Sequence, residues 1–365
     1  MKKKILVYDL HASESGALAI LMDFYNEILQ RNIRNVHWSF IVSTPLLMQA
    51  SNISVDNYPW VKKSWIHRLW FEYFYEKKLI KSIHPEVLCS LQNLGVNKFQ
   101  GKQVVYLHLP FILTDYRFSV KRDGFKLWLY QHVLRRRIFK SLQNVQKVVV
   151  QTQWMKDALI KQACMSEDRI LVVYPKIDNR YIEKYIDREE SRRTFFFPAT
   201  AFAYKNHITI LKACVDLKKR GFMNFKVLLT IKKEENRYTK LLLSYVKKYK
   251  LEPNVEFCGM LPREKIFELY SKSVLVFPSL VESFGMPLLE ARLSRCFILA
   301  AKTPFASEIL YKDSNAYFFD KLDYKQLAML MFRTMNGELK YSDDSDKIME
   351  QITNNYSIVD IINTL

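Results

Sequence analysis

Hydrophobic positions fall into short unbroken runs separated by longer amphipathic stretches, and the two alternate from one end of the chain to the other. Residues 5–8, 36–42, 104–111, 147–151 and 170–174 read as buried parallel strands, because a strand covered on both faces is apolar at every position, not at alternate ones. Residues 83–93 read as a helix end, a turn and a further buried strand. Residues 17–30 have helical spacing. The alternation resumes with strands at 194–198, 225–230, 255–258, 274–277, 297–300 and 317–320. Helices are expected at 208–219, 238–250 and 263–271, and from Pro287, Thr303 and Tyr324 onward. Such an order predicts an α/β protein with Rossmann-like parallel sheets. At 365 residues the chain is too long for one core. It divides into an N-terminal domain over 1–190 and a C-terminal domain over 191–345, with a last amphipathic helix over 346–365. The charged segment 178–193 reads as the linker.

The most informative stretch is 274–290. Val274 to Phe277 is a strand, Pro278 stops it, and a polar loop with Glu282 and Gly285 leads to a helix opening at Pro287. Proline suits a first helical turn because its missing N–H is not needed there. Leu288, Leu289 and Glu290 are then expected to present free backbone donors, which can hold a diphosphate. One of the two carboxylates that bracket these donors, Glu282 and Glu290, can accept hydrogen bonds from ribose hydroxyls, and the other faces whatever the diphosphate carries. The alternative is a capped core helix with a solvated glutamate. Phe277-Pro278-Ser279, Glu282, Phe284-Gly285, Pro287 and Glu290-Ala291 resemble the signature of the retaining GT4 glycosyltransferases. The resemblance implies the GT-B fold, two Rossmann-like domains facing across a cleft, with the last helix over 346–365 crossing back to the first domain. It also implies that Glu290 binds the nucleotide ribose and Glu282 the donor sugar near its reacting carbon, with Phe284, Gly285, Met286, Leu288 and Leu289 around sugar and phosphate.

Further residues join this reading. Lys205 stands where a loop meets the helix at 208, able to neutralise a diphosphate, and Asn206 beside it is expected to cap that helix. The pair resembles the GT4 Lys-Asn element. The arginine usual in that family a few residues upstream is missing here, so Thr200 is the candidate for an added phosphate contact. In the first domain Asn93 and His108 stand at carboxyl ends of strands, where open parallel sheets bind ligands. The position of His108 resembles that of the GT4 histidine that approaches the donor sugar, and Asn93 is placed on the acceptor side. The loop 9–16 ends in Ser15-Gly16 where GT4 enzymes usually carry two glycines facing the donor. An ordinary strand-to-helix turn is the other reading of that loop.

Charge and composition then narrow the partners. The net charge is +19, more of it in the first half, and favours anionic lipid, nucleic acid or a phosphorylated substrate. A nucleic-acid binder gives no reason for Glu282 and Glu290, so no nucleic acid is expected. Between Tyr58 and Ile83 aromatic and basic residues interleave, among them Trp60, Lys63, Trp65, Trp70, Phe74, Lys77 and Lys81. Trp65, Leu69 and Tyr73 are either core at helical spacing or the apolar face of a helix in a bilayer interface, and the second is favoured. Arg135-Arg136-Arg137 with Lys140 is a solvated or lipid-facing cluster. The five cysteines are odd in number and lack metal-ligand spacing, so buried free thiols are expected. The Asp-rich 343–346 reads as a helix cap, not a cation site, and no metal or other cofactor is expected.

Together these lines predict a cytoplasmic enzyme, peripheral on the inner face of the cell membrane. It moves a sugar from a nucleotide-sugar donor to a polyprenyl-linked or other glycan acceptor, with retention and without metal. A nucleotide-sugar epimerase of the same fold and a non-catalytic partner subunit remain alternatives.

Overall fold

The computed structural model describes residues 2–12, 15–44, 46–97, 99–177, 179–233, 236–343 and 357–365. Of the cap cluster at 343–346 only Asp343 lies within them, and most of the last amphipathic stretch lies outside. The chain forms two compact units. One comprises Met1–Leu113, His132–Tyr174 and Asn354–Leu365, and the other Thr114–Gln131 and Pro175–Thr353.

The first unit is built on a seven-stranded sheet of β1 (Lys3–Asp9), β2 (Val36–Val42), β3 (Ile53–Asn57), β4 (Val87–Ser90), β5 (Lys102–Leu107), β6 (Lys147–Val150) and β7 (Ile170–Val172). Its order is β3-β2-β1-β4-β5-β6-β7, with every neighbouring pair parallel. The inner strands are buried at nearly every position, which is why they are legible as apolar runs. β3 escapes that pattern because it is an edge strand, half covered, with polar Ser54, Asp56 and Asn57. The helix Ser15–Arg31 packs Phe24 and Tyr25 edge-on against Trp38 and Phe40 of β2, at centroid distances of 6.0 and 5.6 Å. The terminal helix Ile358–Thr364 buries Val359 and Ile362 in that same core. Ser357 caps it, and Asp360 pairs with Arg31.

The second unit holds six strands, β8 (Thr194–Phe197), β9 (Lys226–Leu229), β10 (Val255–Phe257), β11 (Val274–Phe277), β12 (Ile298–Ala301) and β13 (Ala316–Phe319). They are ordered β10-β9-β8-β11-β12-β13 and again all parallel. This is the 3-2-1-4-5-6 order of a dinucleotide-binding fold, and its order reverses between the first strand and the fourth. In this unit those strands are β8 and β11, so the loops that leave their carboxyl ends open toward one crevice. In the first unit the reversal falls between β1 and β4.

Candidate functional site

β8 and β11 end side by side, with the rings of Phe197 and Phe277 5.5 Å apart. The loops beyond them are tied together: Leu280 N–H donates to Tyr204 O at 2.8 Å. Asn206, in left-handed backbone conformation and buried, donates to Pro278 O at 3.2 Å and Lys321 O at 3.1 Å and accepts from Thr209 Oγ1 at 2.9 Å. The expected helix cap is therefore not what this side chain does. Its Nδ2 is spent on stitching the loops after β8, β11 and β13 together, and its Oδ1 takes the Thr209 hydroxyl in place of a backbone N–H of the helix. The stitch fixes Lys205, whose Nζ reaches Glu282 Oε1 at 2.5 Å. Ser279 Oγ donates to the same oxygen at 2.6 Å. Lys205 and Glu282, 77 positions apart in sequence, meet at the topological switch point of this sheet. Thr200 is exposed on the same β8 loop, with its carbonyl accepting from Phe202 N–H.

The helix Met286–Leu293 starts as its sequence predicts, with proline in its first turn. It is preceded by Gly285 at φ +95°, a left-handed position where an added Cβ meets Leu288 Cδ1 at 3.2 Å. That glycine is required by the turn. Phe284, Leu288 and Leu289 are buried, while Met286 is partly exposed. One expected free donor is spent: Leu288 N–H donates to Gly285 O at 2.9 Å, because the first turn tightens over the proline. Glu290 is buried with both carboxylate oxygens held. Oε1 accepts from Arg263 at 2.7 Å and Oε2 from the Tyr270 hydroxyl at 3.0 Å. Burial, and then the Glu290 carboxylate, push the Tyr270 phenol well above its usual range, so it stays a donor.

Sequence reasoning missed Arg263, Tyr270 and Ser279. The signal for Arg263 was there: it opens a helix, where the backbone dipole disfavours a cation, so a carboxylate partner was to be sought. Tyr270 looked like any core aromatic, and only the fold turns its hydroxyl toward Glu290.

In the first unit Asn93 and His108 come together across β4 and β5. Asn93 Oδ1 accepts from His108 N–H at 2.7 Å. The imidazole Nε2 lies 3.2 Å from Leu91 O and 3.1 Å from Asn93 Nδ2. Burial lowers the His108 pKa to about 4, so the ring is neutral near pH 7. Ser15 and Gly16 open the Ser15–Arg31 helix after β1, with Gly16 exposed. Ahead of them Asp9 is buried, its Oδ1 accepting from His11 and Ala12 N–H at 2.9 and 3.0 Å. Burial raises its pKa to about 6.

The cysteine expectation holds for Cys89, Cys214 and Cys296, which are buried, but Cys164 is exposed and Cys258 half-buried; all five thiols are free. A cavity of about 1000 Å³ lies elsewhere, between edge strand β10 and the helix Arg237–Lys248, and holds none of the residues above.

Residues 179–353 match the family model described as glycosyl transferases group 1. That span contains the whole second sheet, with Lys205, Glu282 and Glu290. Over 77% of the chain, and 77% of the relative, the sequence is 22% identical to the O-antigen chain mannosyltransferase RfbU of Salmonella typhimurium strain LT2. Among solved structures, sucrose-phosphate synthase from Thermosynechococcus elongatus superposes with a TM-score of 0.72 at 14% identity, covering 92% of this chain and 90% of that one. HepE of Anabaena, solved in complex with UDP-glucose, gives a TM-score of 0.69 at 18% identity, covering 99% of this chain and 97% of that one. The fold is the GT-B one expected from the sequence, and the resemblance drawn from residues 277–291 falls inside the matched span.

Proposed function

We propose that the protein is a retaining glycosyltransferase that moves a sugar from a nucleotide-diphosphate donor to a hydroxyl of a lipid-linked or cell-surface glycan. The observation that carries this reading is the Lys205–Glu282 pair at the switch point of the second sheet, with Glu290 held on the helix that follows. A lysine ammonium has three donors, so Lys205 can bond a diphosphate while keeping Glu282. Glu282 then stands where the diphosphate joins its sugar, and Glu290 receives the ribose hydroxyls. As the glycosidic bond breaks, negative charge grows on the leaving diphosphate. Donors already fixed around it stabilise that charge without reorganising. Phe284, Gly285, Met286 and Leu289 are assigned to sugar and phosphate, Thr200 and Ser15-Gly16 to further polar contacts, and Asn206 to holding Lys205 in place. Neutral His108 is assigned to orienting the donor sugar through a hydrogen bond, and Asn93 to the acceptor side. Because Lys205 and the helix end supply the charge stabilisation, the reaction is proposed to need no divalent metal, and chelators should leave turnover unchanged.

The similarity to an O-antigen chain mannosyltransferase supports a polysaccharide acceptor, and that to a UDP-glucose complex supports a nucleotide-sugar donor. No helix among the described residues is long and apolar enough to cross a membrane. We place the enzyme on the cytoplasmic face as a peripheral protein. The test is a donor screen by released nucleotide, with and without a polyprenyl-linked glycan acceptor. Acceptor-dependent release with at least one donor, retaining the anomeric configuration, supports the proposal. Conversion of the donor sugar without acceptor points to an epimerase instead, and nucleotide binding without any turnover points to a non-catalytic subunit.

A further inference from the structure

The chain from Trp65 to Ile83 runs as two α-helical pieces, Trp65–Trp70 and Glu76–Ile83, joined by a π-helical turn, Phe71–Tyr75. Its apolar residues fall in two rows with a spacing of four, Trp65-Leu69-Tyr73 and Ile66-Trp70-Phe74. In an α-helix such rows drift around the axis, because 3.6 residues make a turn. The wider π turn counters that drift and keeps both rows on one side. Burial decides which side. All six side chains are exposed, Trp65 and Tyr73 by 71% and 80%, while Phe71 turns inward onto Tyr58. The core alternative for Trp65, Leu69 and Tyr73 is thereby excluded. An exposed apolar surface of this kind is unusual on a soluble domain and marks a docking surface.

Charge selects the occupant. The two acids of the same stretch are turned inward and held by hydrogen bonds. Glu72 accepts from Arg68 at 2.9 Å and Arg137 at 2.7 Å, and Glu76 from the buried Tyr8 hydroxyl at 2.9 Å. The lysines point the other way: Lys63, Lys77, Lys78 and Lys81 are exposed, and among the described residues none has an acid within 4.0 Å. Aromatic rings flanked by unpaired lysines suit an anionic bilayer, where rings settle at headgroup depth and ammonium groups meet lipid phosphates. A second copy seated face to face would set the same lysines against each other. A nucleic acid needs open ring faces to stack on. Here Tyr73 and Phe74 pack against each other at 75°, and Ile66 and Leu69 interrupt the rings.

We infer that the face of residues 65–78, with Lys63 and Lys81 at its margins, seats the first unit on an anionic lipid bilayer. This gives the peripheral location proposed above a named surface, and it can be read without any sugar transfer, so its failure leaves the catalytic proposal standing.

Flotation of the full chain with vesicles of phosphatidylglycerol and phosphatidylcholine, against vesicles of phosphatidylcholine alone, tests it. The wild type is expected to float at least tenfold better with the anionic vesicles and to lose much of that at high salt. The triple variant Trp65→Ser, Tyr73→Ser, Phe74→Ser and the double variant Lys77→Glu, Lys78→Glu should each lower binding at least tenfold, with unchanged melting temperatures because the positions are exposed. Brominated acyl chains provide a second measurement on conservative variants: they should quench wild-type tryptophan fluorescence, and quench Trp65→Phe less. The inference is overturned if the wild type stays unbound or if the triple variant floats as well as the wild type. It is equally overturned by a dimer that the triple variant dissolves, or by single-stranded DNA binding that the triple variant abolishes.

Discussion

Glu282 and Glu290 are the same residue type on one loop and the helix it feeds, yet their surroundings prepare them for different work. Glu290 is buried and fixed at both oxygens by Arg263 and Tyr270, a posture suited to holding a ligand. Glu282 is clamped through one oxygen by Lys205 and Ser279, beside the proposed leaving group. Accordingly Glu290→Ala should weaken nucleotide binding at least tenfold, about 1.4 kcal/mol. Glu282→Ala should leave that affinity within about threefold and lower turnover on the order of a hundredfold. Calorimetric titration and steady-state kinetics separate the two, and near-wild-type behaviour in both would remove the site. Tyr270→Phe deletes one hydroxyl that orients Glu290. It should cost about 1 kcal/mol of stability and weaken nucleotide binding severalfold, whereas an unchanged dissociation constant would reduce Tyr270 to a core residue.

Among the elements, the turn into the Met286–Leu293 helix is the most demanding. Gly285 is left-handed and in near contact with Leu288, so Gly285→Ala should destabilise the second unit by about 1–2 kcal/mol and lower activity with it. The helix Glu76–Ile83 carries a different liability. Burial raises the Glu76 carboxyl from its usual 4.5 to about 7, so the folded form prefers it protonated. The stability contributed by that proton is complete below pH 4.5 and lost as pH rises toward 7. Glu76→Gln keeps an acceptor for Tyr8 and cannot ionise. It should match the wild type near pH 4.5 and exceed it at pH 8 by roughly 2–3 kcal/mol, as read from denaturant melts at the two pH values. A gain of equal size at both would show that ionisation is not the cause.

At the scale of the molecule, each unit has its own sheet and core, and the terminal helix belongs to the first unit although it follows the second in sequence. Ile362→Ala, at a buried position of that helix, should therefore lower the transition of the first unit alone, by about 2–5 kcal/mol, and leave that of the second unit in place. Calorimetry that moves both transitions together would contradict this. The sequence by itself determined the alternation of strands and helices and the doubling of the α/β plan. It also carried the strand, loop and helix start of 274–290, because buried parallel strands and helix starts are written in local patterns of polarity and punctuation. It could not show edge strand β3, whose half-covered residues carry no apolar run. Nor could it show that Asn206 laces loops together, or that Arg263 and Tyr270 hold Glu290. It left open whether Trp65 and Tyr73 face the core or solvent. Those were decided by tertiary structure, for a physical reason: hydrogen-bond partners and exposure depend on which distant segments the strand order brings alongside, and helical spacing alone does not say which side of a helix is covered.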